Sequence, residues 1–287
     1  MKNTKKPYVP NVGIDYPINE PDKHILDNPP IVDLIIDENY QFVDKTLKFR
    51  IKSFLLYIFV FCFVFLLQKV RFGLKIEGTE ILRKNKKQFK NGVITISNHV
   101  LRWDFLCVLR AIRPKRAFVI VWQHLLRGKD RGVVRTIQGV PLAETKATTL
   151  MFMRALDELL AKKKWVHVFP ESANWHYFQP IRPFKSGAFS FAYRYKVPIL
   201  PMAISYREPT GIFKLWCKKH PLLTLKIGEP LFPDFTLDRK AAIDKLLRES
   251  HASMCALAGI DNNPYTASFD DFMQQQKSPQ ITQINTN

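Results

Sequence analysis

Residues 53–68 read SFLLYIFVFCFVFLLQ, sixteen positions without a charge, fenced by Lys48, Arg50 and Lys52 on one side and Lys69 and Arg71 on the other. A segment that is apolar on every side of a helix cannot lie on the surface of a water-soluble domain, so it enters a membrane or is buried in a core. At 1.5 Å per residue such a helix reaches about 24 Å, short of the roughly 30 Å hydrocarbon layer, although snorkelling lysines extend that reach. Two membrane arrangements fit. In one the segment crosses. In the other a helix or helical hairpin is embedded in a single leaflet, its cationic flanks held by anionic lipid. The competing reading is a buried core helix. Upstream, Ile31 to Phe49 mixes apolar and charged residues in a way that suits an amphipathic helix beside the run.

The rest of the 287 residues is enough for one sizeable core. Forty-four Lys plus Arg against 25 Asp plus Glu give a net charge of +19, which draws polyanions: nucleic acid, anionic lipid headgroups or phosphorylated cofactors. The basic clusters carry no zinc-finger, basic-zipper or RNP signature, so a nucleic-acid partner is not expected. Cys62, Cys107, Cys217 and Cys255 lie far apart with no C-x-x-C pair, against a disulfide framework or structural zinc and in keeping with a reducing cytoplasm. Met1 to Pro30 lacks the apolar core and cleavage site of a secretory signal and is expected to stay attached.

From Phe72 to about Ala258, short β-type runs alternate with helical patterns, which argues for an α/β domain with a largely parallel sheet flanked by helices. The strands predicted are Val93 to Ser97, Arg116 to Val121, Trp165 to Phe169, Val197 to Ser205 and Leu222 to Gly228. The clearest helices run from about Lys146 to Lys163 and from Leu237 to Leu257. Beyond Ile260 the chain turns polar, and too few apolar side chains remain to order it. The chain therefore divides into an irregular segment (1–38), a membrane-associated helical element (39–71), the α/β domain (72–258) and a polar tail (259–287).

Asn98-His99-Val100-Leu101-Arg102-Trp103-Asp104 stands where a strand ends and a helix begins, the place where α/β enzymes present reactive side chains. Five positions apart in one helix, His99 and Asp104 would point about 140° away from each other. They can meet only if His99 precedes the helix and Asp104 opens it. A carboxylate on one imidazole nitrogen then fixes the tautomer and frees the other to take a proton from an alcohol. No serine or cysteine nucleophile is needed, because a positioned hydroxyl can attack a thioester directly.

Three further segments follow in order: Phe169-Pro170-Glu171-Ser172, Pro183 to Phe189 (PFKSGAF), and Val197 to Ser205 (VPILPMAIS). Placed after N-H-x-x-x-x-D, they resemble the glycerolipid acyltransferases typified by bacterial 1-acyl-sn-glycerol-3-phosphate acyltransferase, over roughly Phe72 to Pro230. The resemblance implies a glycerol-3-phosphate acyltransferase-like fold, His99 as general base and Asp104 as its partner. It also implies Phe169, Pro170 and Glu171 at the acceptor-binding edge, an acyl-CoA or acyl-carrier-protein co-substrate, and no metal or resident cofactor. Asn98, Ser172, Arg182, Lys185 and Gly187 join the candidate substrate-binding set. Lys185 and Gly187 open a helix whose free N–H groups could hold phosphate or a developing oxyanion. Membrane lipids are the expected partners, with the site on the cytoplasmic membrane face.

Two departures bear on the acyl acceptor. The family commonly has F-P-E-G-T-R where this chain has Phe169 to Asn174, and a phosphate-contacting arginine where it has Thr145. Neither replacement grips phosphate bidentately. Lys146, Arg135, Arg182 and Lys185 could compensate, or the acceptor could lack a phosphate. A non-catalytic basic membrane- or nucleic-acid-binding protein remains the reading from another class.

Overall fold

The structure is a computed structural model describing residues 8–25, 30–216 and 220–277. In chain order the elements are α1 (Leu47–Phe59), a π-helical turn (Val60–Val64), α2 (Phe65–Phe72), β1 (Lys75–Glu77), α3 (Thr79–Lys84), β2 (Val93–Ser97), α4 (Phe105–Ala111), β3 (Ala117–Val121), α5 (Arg131–Thr136), β4 (Gly139–Pro141), α6 (Lys146–Ala161), β5 (Trp165–Val168), α7 (Gly187–Tyr195), β6 (Ile199–Arg207), α8 (Phe213–Trp216), β7 (Leu222–Ile227), α9 (Arg239–Ala258) and α10 (Phe269–Lys277). The strands form one sheet in the order β1-β7-β6-β2-β5-β3-β4. It is parallel except between β6 and β7, which run antiparallel. Cys217 lies outside the described residues.

Central β2 is buried at every position, as a strand covered on both faces must be. Its period of two divides it between two cores. Ile94 and Ile96 join the cluster formed with α6, α7 and α9, while Val93 joins the one formed with α2 and α4. The short strands β1 and β4 carry too few residues for an alternation to be visible in sequence.

The apolar run lies within one continuous helix, Leu47–Phe72, rather than a hairpin. Its 26 residues reach about 39 Å, because Leu47 to Lys52 and Lys69 to Phe72 extend the uncharged stretch. Only 28% of its most apolar window is buried, which excludes the core-helix reading. The buried part is a stripe. Ser53, Val60, Phe65 and Gln68 face the domain, the Gln68 amide donates to Cys107 Sγ at 3.6 Å, and Arg110 donates to the Phe65 carbonyl at 2.6 Å. Leu55, Ile58, Phe59, Phe63, Leu66 and Leu67 are exposed along the opposite side.

Three local expectations are overturned. Ile31 to Thr46 forms no amphipathic helix. Ile36 and Phe42 pack singly into the core, and Arg135 and Arg127 hold the segment through the carbonyls of Phe42 and Leu34, so tertiary contacts satisfy a backbone that helix bonds would otherwise serve. The helical element accordingly starts at Leu47 and not at residue 39. Nor is the stretch after Ile260 a free tail as far as Lys277. Phe184 exchanges backbone bonds with Ala267 and Phe269, and Tyr265 and Phe272 are buried beside Trp175 and Phe178. Two aromatic anchors suffice where the mean composition suggested none. Residues 278–287 of the expected tail lie outside the described residues.

Candidate active site

β2 ends at Ser97, its last residue paired with β6, and the chain turns away before α4 begins at Phe105. Asn98 holds this departure in place. Its amide donates to Ile204 O at 2.9 Å and accepts from Ile204 N at 2.8 Å, so the side chain replaces the next rung of the β2–β6 ladder. His99 therefore sits in the loop and Asp104 at the N-cap of α4. His99 Nδ1 donates to Asp104 Oδ2 at 2.8 Å. The same oxygen accepts the N–H groups of Val100 at 2.8 Å and Leu101 at 3.1 Å. Asp104 is fully buried, so the carboxylate is aimed by three donors and the loop is wound around it.

The imidazole is held on its faces as well. The Phe169 ring stacks on it at 3.9 Å between centroids and 16° between planes. The Asn174 amide nitrogen lies within 3.4 Å of both ring nitrogens while donating to Leu101 O at 2.6 Å. Beneath lies His167, fully buried, with Nδ1 3.0 Å from Thr95 Oγ1 and Nε2 3.4 Å from Ser97 Oγ. Burial pushes its pKa down to about 3, so it stays neutral beside the catalytic candidate. Burial also lowers those of His24 and His176.

Glu171 is 2% exposed and faces inward. Its Oε2 accepts from His99 N at 3.0 Å and from Arg182 Nη2 at 2.8 Å, and its Oε1 accepts from Arg182 N at 3.0 Å. Both members of this ion pair are 1% exposed. Arg182 Nη1 donates to Pro21 O at 2.6 Å and Nη2 also to Ala173 O at 2.5 Å, and the guanidinium lies 4.5 Å from the Trp175 ring. Asn98, Glu171 and Arg182, expected on the substrate, thus have their polar groups committed to the protein. They are scaffold that fixes the His99 loop. Phe169 stacks on the His99 ring.

The other candidates are spread around this centre. Pro170 is buried, and its carbonyl accepts Lys185 N at 2.9 Å. Ser172 is exposed with a φ of +68°, a left-handed conformation that suits the glycine common in the family at this place. Gly187 opens α7 as expected, and a side chain there would meet open space. The Lys185 ammonium pairs with Asp22 at 2.9 Å. Thr145, standing where the family has arginine, caps α6 in a reciprocal box with Thr148. Among the described residues no three His, Cys, Asp or Glu side chains gather as metal ligands.

Asn174 reads in the sequence only as a replacement for the family's arginine; its contact with the imidazole and an N-terminal strap escaped that reading. The strap crosses the Glu171–Arg182 region. Tyr16 donates to His176 O, Trp175 Nε1 donates to Lys23 O at 2.8 Å, and His24 stacks on Trp122 at 4.2 Å. The one available signal was compositional, since Pro17, Pro21 and the aromatic Tyr16 suit an extended chain with a single anchor.

A family model described as Acyltransferase matches residues 73–205, from the end of the long helix to β6, including Asn98–Asp104 and Phe169–Asn174. The chain is 29% identical to human 1-acyl-sn-glycerol-3-phosphate acyltransferase alpha over 134 residues, 46% of this chain and 45% of that one. Over residues 73–205 the chain is thus similar to the acyltransferase family and to its 1-acyl-sn-glycerol-3-phosphate acyltransferase members. It is also 27% identical over 203 residues to an uncharacterized acyltransferase of Schizosaccharomyces pombe, covering 67% of each chain. A structural comparison pairs it with the 1-acyl-sn-glycerophosphate acyltransferase PlsC of Thermotoga maritima at 22% identity and a TM-score of 0.41, over 62% of this chain and 71% of that chain. The chain spans less than half the length of the human relative it matches.

Proposed function

We propose that this acyltransferase moves a fatty acyl group from a thioester, acyl-CoA or acyl-carrier protein, to the hydroxyl of a lysophospholipid, 1-acyl-sn-glycerol-3-phosphate being the first choice. The observation that carries the reading is the His99–Asp104 pair, with Nδ1 committed to the carboxylate and Nε2 left to act as base. The acceptor O–H gives its proton to Nε2 as its oxygen bonds to the thioester carbonyl carbon. The tetrahedral oxyanion collapses, the C–S bond breaks, and the departing thiolate takes the proton back from the imidazolium. Asp104 stabilises that imidazolium.

The long helix supports membrane embedding in one leaflet. Because its buried stripe is docked on the domain from Ser53 to Gln68, a crossing orientation would carry the domain into hydrocarbon. We place the active site on the cytoplasmic face, in keeping with cysteines that are free at Cys62, Cys107 and Cys255. Membrane lipids are then partners as well as substrates.

One observation favours a second reading, an acceptor without phosphate such as a lyso-aminolipid or glycolipid. Of the four cations that could replace the family's arginines, Arg182 is buried on Glu171, Lys185 is paired with Asp22, and Arg135 bonds the carbonyls of Phe42 and Gln41. The test is thiol release by the purified full chain with acyl-CoA or acyl-carrier protein and a panel of lysolipids. Turnover that survives His99→Ala would sink the mechanism. A strong preference for lysophosphatidate would remove the second reading.

A further inference from the structure

A cleft of about 880 Å³ opens at the other end of the sheet from His99, between the start of the long helix and the N-terminal ends of β3 and β5. Trp165 opens β5 in the cleft, while Phe169 follows the same strand at the imidazole, so the two places are separated by about 13 Å of strand. Seven Lys or Arg line the cleft against two acids, Asp44 and Glu158. Asp44 is engaged by Thr46, and Glu158 by Lys45 at 2.5 Å and Lys162 at 2.7 Å. Arg50, Lys115, Lys163 and Lys164 have no acidic partner among the described residues.

Two buried polar atoms on this cleft have no hydrogen-bond partner, Ser53 Oγ and Gln138 Oε1. Ser53 is 2% exposed. Gln138 holds a left-handed φ of +73°, a strained conformation for a side-chain-bearing residue. A buried polar group without a partner carries a desolvation cost that a bound group would relieve. Ser53 can donate to a phosphate oxygen. Gln138 Oε1 only accepts and calls for a hydroxyl or ammonium donor. Arg116 lies across Tyr57 at 4.2 Å, and Phe54 and Ile51 of the same helix are exposed beside it, a path for acyl chains.

We propose that this cleft binds one anionic phospholipid with a hydroxyl-bearing headgroup, outside the catalytic centre. The phosphate meets Lys115, Arg116 and Lys164, Ser53 donates to it, and a headgroup hydroxyl donates to Gln138. The acyl chains follow the exposed side of the helix into the leaflet. A volume of this size accommodates such a headgroup, and a lipid there pins the helix and the domain together at the membrane surface.

The test is thermal melting of the purified full chain in a neutral detergent, titrated with dihexanoyl phosphatidylglycerol, dihexanoyl phosphatidylcholine or inorganic phosphate. Phosphatidylglycerol should raise the melting temperature saturably, and the other two should not. Lys115→Gln/Lys164→Gln should weaken it about twenty-five-fold, from a factor of about five per lysine at a surface of this kind. Ser53→Ala should weaken it about fivefold. His99→Ala and the double change Arg83→Gln/Lys240→Gln, on α3 and α9, neither of which lines the cleft, should leave it unchanged. Equal shifts from phosphatidylcholine or phosphate, no shift from phosphatidylglycerol, or equal losses in the two double variants would each overturn the proposal.

Discussion

Glu171 was expected to touch substrate, and its position instead makes a stability prediction. In Glu171→Gln the amide keeps one oxygen. Turned to accept from Arg182 Nη2 and His99 N, it presents its NH2 to the Arg182 N–H; turned the other way, it presents NH2 to two donors. Either way the Arg182 guanidinium, 1% exposed, is left without a counter-charge. Removing one member of a buried pair costs about 3–5 kcal/mol, and the isosteric amide belongs at the low end. At about 2–4 °C per kcal/mol for a chain of this size, the melting temperature should fall by about 10 °C. Calorimetry or circular dichroism on the detergent-solubilised chain reads this directly. Glu171→Gln/Arg182→Met should fall by less than the sum of the single changes, because no unpaired charge remains. An unchanged melting temperature together with a collapse of kcat/KM would show that Glu171 faces the substrate and refute the scaffold assignment.

Asp104→Asn removes the charge that orients and stabilises the His99 imidazolium, so kcat should fall by about two to four orders of magnitude with little change in KM, as read by thiol release. Asn174→Ala loses the bond to Leu101 O and the contact with the imidazole; kcat should fall about tenfold, and a change confined to KM would contradict a positioning role. His167 has a folded pKa depressed to about 3 by burial, so between about pH 6.5 and 3 the unfolded chain binds a proton that the folded chain does not. Its contribution is complete above about pH 6.5 and is lost as the pH falls, at up to about 1.4 kcal/mol per unit. His24, His176 and His251 shift in the same direction, also by burial, so His167→Gln should make the acid limb of melting temperature against pH shallower without flattening it. Identical slopes would contradict this.

The apolar run, the central strands and the order of the motif blocks were legible in the sequence because each is a local property. Ile94, Ile96 and Leu200 are apolar because β2 and β6 are covered on both faces, and Val93 to Ser97 needed no tertiary knowledge. The spacing of His99 and Asp104 required the base to precede the helix and the acid to open it, and the loop from Asn98 to Asp104 has that form. Tertiary structure alone decided which polar groups remain available. Glu171, Arg182 and Asn98 belong to residue types common on substrates, and only the positions of Ile204, Pro21 and the His99 amide commit them to the protein. The same holds for Asn174 and for the tail residues Tyr265 and Phe272, whose partners lie far away in sequence. Periodicity and composition report what a segment buries on average. Hydrogen-bond partners and ring contacts depend on where distant segments cross, and those crossings assigned the tasks around His99.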